Sequence, residues 1–269
     1  MVNLAGGKPI IIETEMYDDF KIVPRQLEAN ITKNTKWFII NSPGNPTGNV
    51  YDKSELKELS KVLLKNPHVN ILSDDIYEHI TYGTKFYNIL NVESKLYENT
   101  FIVNGVSKAF SMTGWRIGYG AGKKELIKAI SKIQSQSTTN PCSISQVAAK
   151  YALQSEKIFL QDWLKKFENR KNLLLNFFNS IPGLNSFSPS GAFYLYVCCT
   201  GFINKKIKDG KKINNDLDFA EYLLHEAKVA VVPGIAFGKS PFFRISYATS
   251  IDDLKEACKR IEMALKKIL

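Results

Sequence analysis

An α/β architecture with two domains is what this 269-residue sequence predicts, on three observations. Short apolar runs alternate with segments of helical periodicity, the rhythm of a mostly parallel sheet covered by helices. Proline- and glycine-rich clusters stand where those runs end. The chemically unusual residues follow the carboxyl ends of the runs, where open α/β sheets bind ligands.

The elements come in this order. PIIIET (9–14) is a short apolar run of strand type, and Pro24 to Ile31 has room for one or two helical turns. KWFIIN (36–41) is an apolar strand that ends at SPGNPTGN, where Pro43, Gly44, Pro46 and Gly48 exclude helix and strand interior. DKSELKELSKVLLK (52–65) spaces Leu56, Leu59 and Leu63 as a helix does, with Asp52 as its cap. NILSDD (70–75) and TFIVNG (100–105) are two more buried-type strands. Lys123 to Ser135 and Ile144 to Leu153 read as helices. From Glu156 to Ser180 runs a long helical pattern, Leu160, Trp163, Leu164 and Phe167 among its apolar positions, and IPG (181–183) ends it. Beyond lie a strand (Phe193–Cys198), a helix (Leu217–Ala227), short strands around Val229–Val232 and Phe242–Tyr247, and a C-terminal helix (Ile251–Ile268). Residues 1–155 then form the larger domain, and residues 156–269 a connecting helix with a smaller α/β domain.

Composition narrows the class. Hydrophobic residues at 44% and charged residues at 23% are ordinary for a soluble globular protein. No apolar run is long enough to cross a bilayer, and the N-terminus lacks the three regions of a signal peptide. Cys142, Cys198, Cys199 and Cys258 form no CxxC pair, which fits a reducing compartment, so the expected location is the cytoplasm. The net charge is +10, but the lysines are spread over helical faces. The densest cluster, Lys205, Lys206, Lys208, Lys211 and Lys212, reads as a solvated loop. There is no zinc-finger spacing and no RNP-like aromatic strand, so nucleic acid, membrane and metal are not expected partners.

Six residues have types and settings that chemistry uses. Lys108, in NGVSKAFSMTGWRIGYG, has the apolar neighbours Ala109, Phe110 and Met112 and a cation eight residues on, a setting that suits an amine nucleophile. Arg116 stands among glycines, and its guanidinium matches phosphate or carboxylate. Asp74 closes an apolar strand and could hold a proton on a heterocyclic nitrogen; Tyr77, on a helical turn, would point to the same side. Asn45 lies in PGNPTG, and Arg244 in the aromatic strand SPFFRISYAT, where a charge needs a partner. Taken singly, each has a plainer reading. Lys108 would be a surface lysine, Arg116 or Arg244 the partner of an internal carboxylate, Asp74 an N-cap, Tyr77 a core aromatic and Asn45 a turn residue.

Their order is more specific. With NSPGNPTG, SDDIYEH, VNGVSKAFSMTGWRIGY, QSQSTTNPCSISQ, PSGAFYLYV, VAVVPGIAFG and FRISYATS, the chain resembles the class I, fold type I pyridoxal-phosphate aminotransferases from end to end. The likeness is greatest to bacterial-type aspartate and aspartate/prephenate aminotransferases. The resemblance implies a large domain with a mostly parallel mixed sheet and a smaller α/β C-terminal domain. It implies that Lys108 forms the Schiff base with pyridoxal 5'-phosphate and moves the proton at the substrate α-carbon. Asp74 pairs with the protonated pyridine nitrogen, and Tyr77 and Asn45 bond the ring oxygen. Arg116, with Ser107, binds the phosphate. Arg244, helped by Asn45, takes the substrate α-carboxylate.

The implied reaction is transamination between an amino acid, aspartate first, and a 2-oxo acid such as 2-oxoglutarate. Aromatic amino acids, prephenate, alanine or kynurenine are the alternative substrates, and a carbon–sulfur lyase ranks below them. From a different class, a non-catalytic binding or regulatory remnant of the fold is the rival. The family is usually homodimeric. Its members carry a long segment ahead of the part matching MVNLAGGKPIIIET, which supplies a phosphate loop, a ring-stacking aromatic and much of the dimer surface. The resemblance therefore implies an N-terminally incomplete large domain: a fragment of a longer enzyme, or a product that has lost activity. With sheet edges and apolar surface uncovered, the chain alone is expected to aggregate.

Overall fold

Asp52 shows how local chemistry starts an element. Its carboxylate accepts from the backbone N–H groups of Ser54 (2.7 Å) and Glu55 (2.8 Å), and the Glu55 carboxylate accepts from the N–H of Asp52 (2.7 Å). This reciprocal cap satisfies donors that the first helical turn leaves open. The helix it starts, α2 (Lys53–Leu64), turns Leu56, Leu59, Val62 and Leu63 inward. These observations come from a computed structural model that describes residues 1–207 and 210–268. Lys208, one of the lysines read as a solvated loop, lies outside them.

The chain divides into two compact units. The first comprises Met1–Pro43, Tyr51–His79 and Lys85–Glu156, the second Gly44–Val50, Ile80–Thr84 and Lys157–Leu269. In the first unit, α1 (Pro24–Asn30) precedes β1 (Trp37–Asn41); α2 is followed by β2 (Asn70–Asp74), the short α3 (Ile89–Val92), β3 (Thr100–Gly105), β4 (Gly118–Ala121), α4 (Lys124–Ser135) and α5 (Ser143–Gln154). The strands lie in the order β1-β2-β3-β4; the first two pairings are parallel and the last antiparallel. Phe38, Ile40, Leu56, Leu59, Leu63, Val69, Ile71 and Ile89 form the main core beneath this sheet. The register sets Asn41 opposite Asp74 and Asp74 opposite Val103, so the carboxyl ends of three strands come together.

Two features of this unit differ from the sequence expectation. PIIIET (9–14) forms no strand, and Ile10 and Ile11 are 60% and 71% exposed. β-Branched residues favour a pleated, half-buried surface, but a strand also needs a neighbour for its N–H and C=O groups, and this segment pairs with none. In contrast, GYGA, poor in strand formers, becomes β4. Ile102 pairs with Ala121 and Gly105 with Gly118. A Cβ at Gly120 would come within 2.5 Å of the Phe101 ring, so the close approach there requires glycine.

The second unit holds an antiparallel sheet in the order β5-β6-β8-β7: β5 (Asn185–Ser186), β6 (Tyr194–Cys198), β7 (Val232–Pro233) and β8 (Phe242–Ser246). The strand expected around Val229–Val232 begins only at Val232. The helices are α6 (Ile158–Asn179), α7 (Asp216–Tyr222), which runs on as a π-turn over Leu223–Ala227, and α8 (Ile251–Leu265). Aromatic rings fill the space between them: Phe243 lies 5.6 Å from Phe178 and 5.5 Å from Phe219, and Tyr196 stacks on Phe242 at 4.9 Å. The loop Gly44–Val50 belongs to this unit. The Gly48 carbonyl accepts from the N–H groups of Ser190 (3.0 Å) and Gly191 (2.8 Å). Gly48 has φ +71°, and a Cβ on it would meet the Pro189 Cβ at 2.5 Å. Only glycine suits both conditions.

Candidate active site

In the first unit the site grows from the ends of β2 and β3. Side chains alternate along β2, so Ile71 and Ser73 are buried while Asp74 is half-buried on the other face. Burial raises the Asp74 carboxyl above the usual carboxylate range, and the Ile76 N–H, donating to its Oδ1 at 3.2 Å, offsets part of that rise. The chain then makes a hydrogen-bonded turn rather than the helical turn expected from the sequence. Asp75 N–H donates to the Val103 carbonyl (3.0 Å) and Glu78 N–H to the Asp75 carbonyl (2.8 Å). Tyr77 is buried within this turn. β3 leads to a second turn that carries Lys108, whose Nζ lies 5.8 Å from the centre of the Tyr77 ring. Residues 31 positions apart in sequence are thus neighbours. Around this turn the buried Val106, Met112, Ile117 and Ala149 form a separate small core, with the partly buried Phe110 packed against it.

Ser107 and Arg116 are tied to one residue that the sequence reading passed over. Thr113 Oγ1 donates to the Ser107 carbonyl (3.1 Å), and Arg116 Nη1 donates to the Thr113 carbonyl (2.9 Å). Arg116 is exposed and holds φ +56°, a conformation that costs a non-glycine residue about 1 kcal/mol or more. The flanking Thr113–Trp115 turn ends on it. The SMTGWR segment signals this only weakly, because a threonine in a turn is common.

Asp75, Ser73 and Asn88 were also passed over. All three are buried; Asp75 accepts from Ser73 Oγ (2.7 Å) and from Asn88 Nδ2. Burial pushes the Asp75 carboxyl up to about 6, against the lowering effect of those two bonds. The available signal was the Asp-Asp pair itself: neighbours on a strand point to opposite faces, so one of them had to face the core.

The second unit holds the other pair. Arg244 stands in the middle of β8, opposite Tyr196 on one side and Val232 on the other. Its guanidinium lies over the rings of Tyr194 (4.4 Å) and Phe237 (5.0 Å), and its Nη1 donates to Asn45 Oδ1 at 2.8 Å. The two residues are 199 positions apart in the chain. The Arg244 Nε is buried and has no hydrogen-bond partner among the described residues. A cavity of about 330 Å³ elsewhere in this unit, lined by Asn204, Asn214, Asn215 and Ser240 among others, contains none of the candidate residues.

The geometry supplies an amine beside a phenolic ring, together with a desolvated acid at the end of β2, in one unit, and an incompletely satisfied guanidinium in the other. Comparison with known proteins bears on what such groups do. The family described as aminotransferase class I and II matches residues 1–261. A probable aspartate/prephenate aminotransferase of Rickettsia bellii is 54% identical over 265 residues, covering 98% of this chain and 66% of that protein. An aspartate aminotransferase of Rhizobium meliloti is 48% identical over 269 residues, covering 100% of this chain and 66% of the relative. The crystal structure of the aspartate aminotransferase from Rhizobium meliloti superposes with a TM-score of 0.95 at 48% identity, covering 100% of this chain and 67% of that one. The chain therefore spans about two-thirds of the length of the curated relatives it matches.

Proposed function

The chain belongs to the aminotransferase class I and II family, and from that premise we propose that it takes part in transamination between an amino acid, aspartate first, and a 2-oxo acid such as 2-oxoglutarate. Class I aspartate aminotransferases of this family depend on pyridoxal phosphate. The donor set of the first unit fits that cofactor: a primary amine on Lys108, a desolvated acid on Asp74, a buried phenol on Tyr77, and Ser107 and Arg116 pinned to the same threonine. When bound, the cofactor supplies an electron sink for the substrate carbanion.

The roles of the residues follow from their chemistry. Lys108 Nζ is the covalent anchor and the base that takes the proton from the substrate α-carbon. The Asp74 carboxylate holds the ring nitrogen in its protonated form, and the Tyr77 hydroxyl donates to the ring oxygen. Arg116, with Ser107, holds the phosphate. Asn45 and Arg244 serve the substrate: the Asn45 amide fixes one edge of the planar guanidinium, and the rings of Tyr194 and Phe237 lie against it. In this reading residues 1–155 form the cofactor domain, and residues 156–269 the connecting helix and small domain. The free state of all four cysteines supports a reducing, cytoplasmic setting, and the family habit supports a homodimer.

The observation that carries this reading is Arg244. The guanidinium is partly exposed, but its Nε is buried and unpartnered among the described residues, which is costly unless a ligand completes it, and a carboxylate does so in bidentate fashion. Every amino acid and 2-oxo acid brings that carboxylate. The test is the visible spectrum of the purified chain with pyridoxal phosphate, before and after aspartate, beside Lys108→Ala and Arg244→Lys. The wild type is expected to show a cofactor band that aspartate bleaches. Lys108→Ala should lack the band, and Arg244→Lys should keep it but need about a hundredfold more aspartate, the scale of a lost charged hydrogen bond. A wild type without a band would leave the non-catalytic reading standing. The name carried by the Rickettsia relative favours prephenate as a second acceptor; bleaching with tyrosine or glutamate and recovery with prephenate would select it.

A further inference from the structure

One buried acid in the first unit has no part in the chemistry proposed above. Asp75 follows Asp74 directly, yet its side chain faces the core with Ser73, on the opposite side of the strand end. Ser73 Oγ donates to one of its oxygens and Asn88 Nδ2 to the other. Asn88 is itself fixed, since it caps α3: its Oδ1 accepts from Leu90 N–H (2.8 Å), and its own N–H donates to Asn91 Oδ1 (3.2 Å). The carboxylate therefore joins β2 to the start of α3, which packs into the main core through Ile89. The backbone of Asp75 is held as well, by its N–H on the Val103 carbonyl and by Glu78 N–H on its own carbonyl. Glu78 in turn accepts from Asn104 Nδ2 (2.7 Å) on β3, the strand that leads to Lys108. Asp74 and Tyr77 thus project from a turn whose intervening residues are bound to the core on one side and to β3 on the other.

We infer, on the cofactor reading of this unit, that Asp75 is a positioning residue: through Ser73 and Asn88 it locks the turn from which Asp74 and Tyr77 address the cofactor. The physical case is one of degrees of freedom. Asp74 is only half-buried, and a single hydrogen bond within the turn, from Ile76 N–H, orients its carboxylate, so its direction depends on how firmly that turn is held. A ring nitrogen needs an acid at a set angle and distance, and a loose turn would spread both. The lock is built from buried groups whose polar atoms are mutually satisfied, which makes it stiff and costly to break. It is specific to the carboxylate shape. Asparagine at position 75 still offers an oxygen to Asn88 and a donor to Ser73, whereas alanine leaves the Ser73 hydroxyl unanswered and Asn88 Nδ2 with only a long 3.5 Å bond to Ser73 Oγ.

The experiment has two readouts on the whole chain. Amide hydrogen exchange without cofactor compares wild type, Asp75→Ala and Asp75→Asn. Exchange at Ile76 and Glu78 should rise about tenfold in Asp75→Ala, with β1 amides unchanged, and return close to wild type in Asp75→Asn. Pyridoxal phosphate is then added, and the pH midpoint of its visible band and its affinity are measured. Asp75→Ala should shift the midpoint and weaken binding about tenfold, with recovery in Asp75→Asn. Equal acceleration of exchange across the unit, or a band with unchanged midpoint in Asp75→Ala, would reduce Asp75 to a stabilising residue and overturn the inference. If Asp75→Ala does not fold, Asn88→Ala removes one arm of the lock and is expected to give the same local pattern at smaller size. A wild type that shows local exchange control by Asp75 but no cofactor band would instead sink the cofactor reading.

Discussion

Asp74 and Asp75 are chemically identical neighbours, and the strand end makes them different. Asp74 is half-open and its carboxyl is raised by desolvation; Asp75 is buried and raised to about 6. A carboxyl whose folded value lies above its unfolded value of 3.8 binds its proton more tightly in the folded chain. Its contribution to stability is complete below about pH 4 and is lost as the pH rises through about 6. The shift corresponds to about 3 kcal/mol at most. Asp75→Asn cannot ionise, so the stability of the variant relative to wild type should grow as the pH rises from about 4 to about 7. Urea unfolding across that range measures it; a constant difference between the two proteins would mean the buried carboxyl is not the source of the slope. The pair also shows what sequence conveys at this scale. Asp74, Lys108 and Arg244 announced themselves by charge in apolar company. Asp75 did not, because which of two adjacent acids faces the core depends on the register of β2 against β1 and β3, and only the pairing fixes that.

Elements whose signal is internal to the segment were legible; elements defined by a neighbour were not. α2 carries both of its signals itself, the Asp52 cap and the leucine spacing, and it formed within a residue of its expected limits. β1, β2 and β3 are buried apolar runs bounded by turns, and they too formed where the sequence indicated. β4 depends on the close approach of Gly118 and Gly120 to β3, and residues 9–14 stay irregular because no strand lies beside them. The two signals of α2 also differ in weight. Leu59 is 1% exposed, and Leu59→Ala is expected to cost about 2–5 kcal/mol through lost burial and the cavity left behind. Asp52→Ala removes a solvent-exposed cap and should cost about 1 kcal/mol. Denaturant midpoints read through the first unit would rank them. A cap variant as damaging as the core variant would mean that helix initiation, and not packing, limits this element.

Over the whole molecule, charge and apolar exposure act in opposite directions. The chain carries a net charge of +10, which keeps copies apart at low ionic strength. Yet in the first unit α4 buries no residue fully, and Ile133 on it is 70% exposed. On α5, Ile144, Val147 and Tyr151 follow at helical spacing, 77%, 54% and 69% exposed. Ile10 and Ile11 add to this, as do Trp37 and Ile39 on the outward face of β1. So much exposed apolar surface marks a contact site or an aggregation liability. Repulsion reaches roughly 30 Å at 0.01 M salt and only about 3 Å at 1 M, whereas apolar association does not weaken with salt. The expected result is a chain that sediments as a small species at low salt and associates as salt rises. The double variant Ile133→Ser, Ile144→Ser leaves the net charge at +10, so it separates the two forces. It should stay small where the wild type associates. If it associates as readily as wild type, these helix faces are not the surface that joins the copies. If association falls as salt rises, attraction between unlike charged patches drives it, and the balance argued here is reversed.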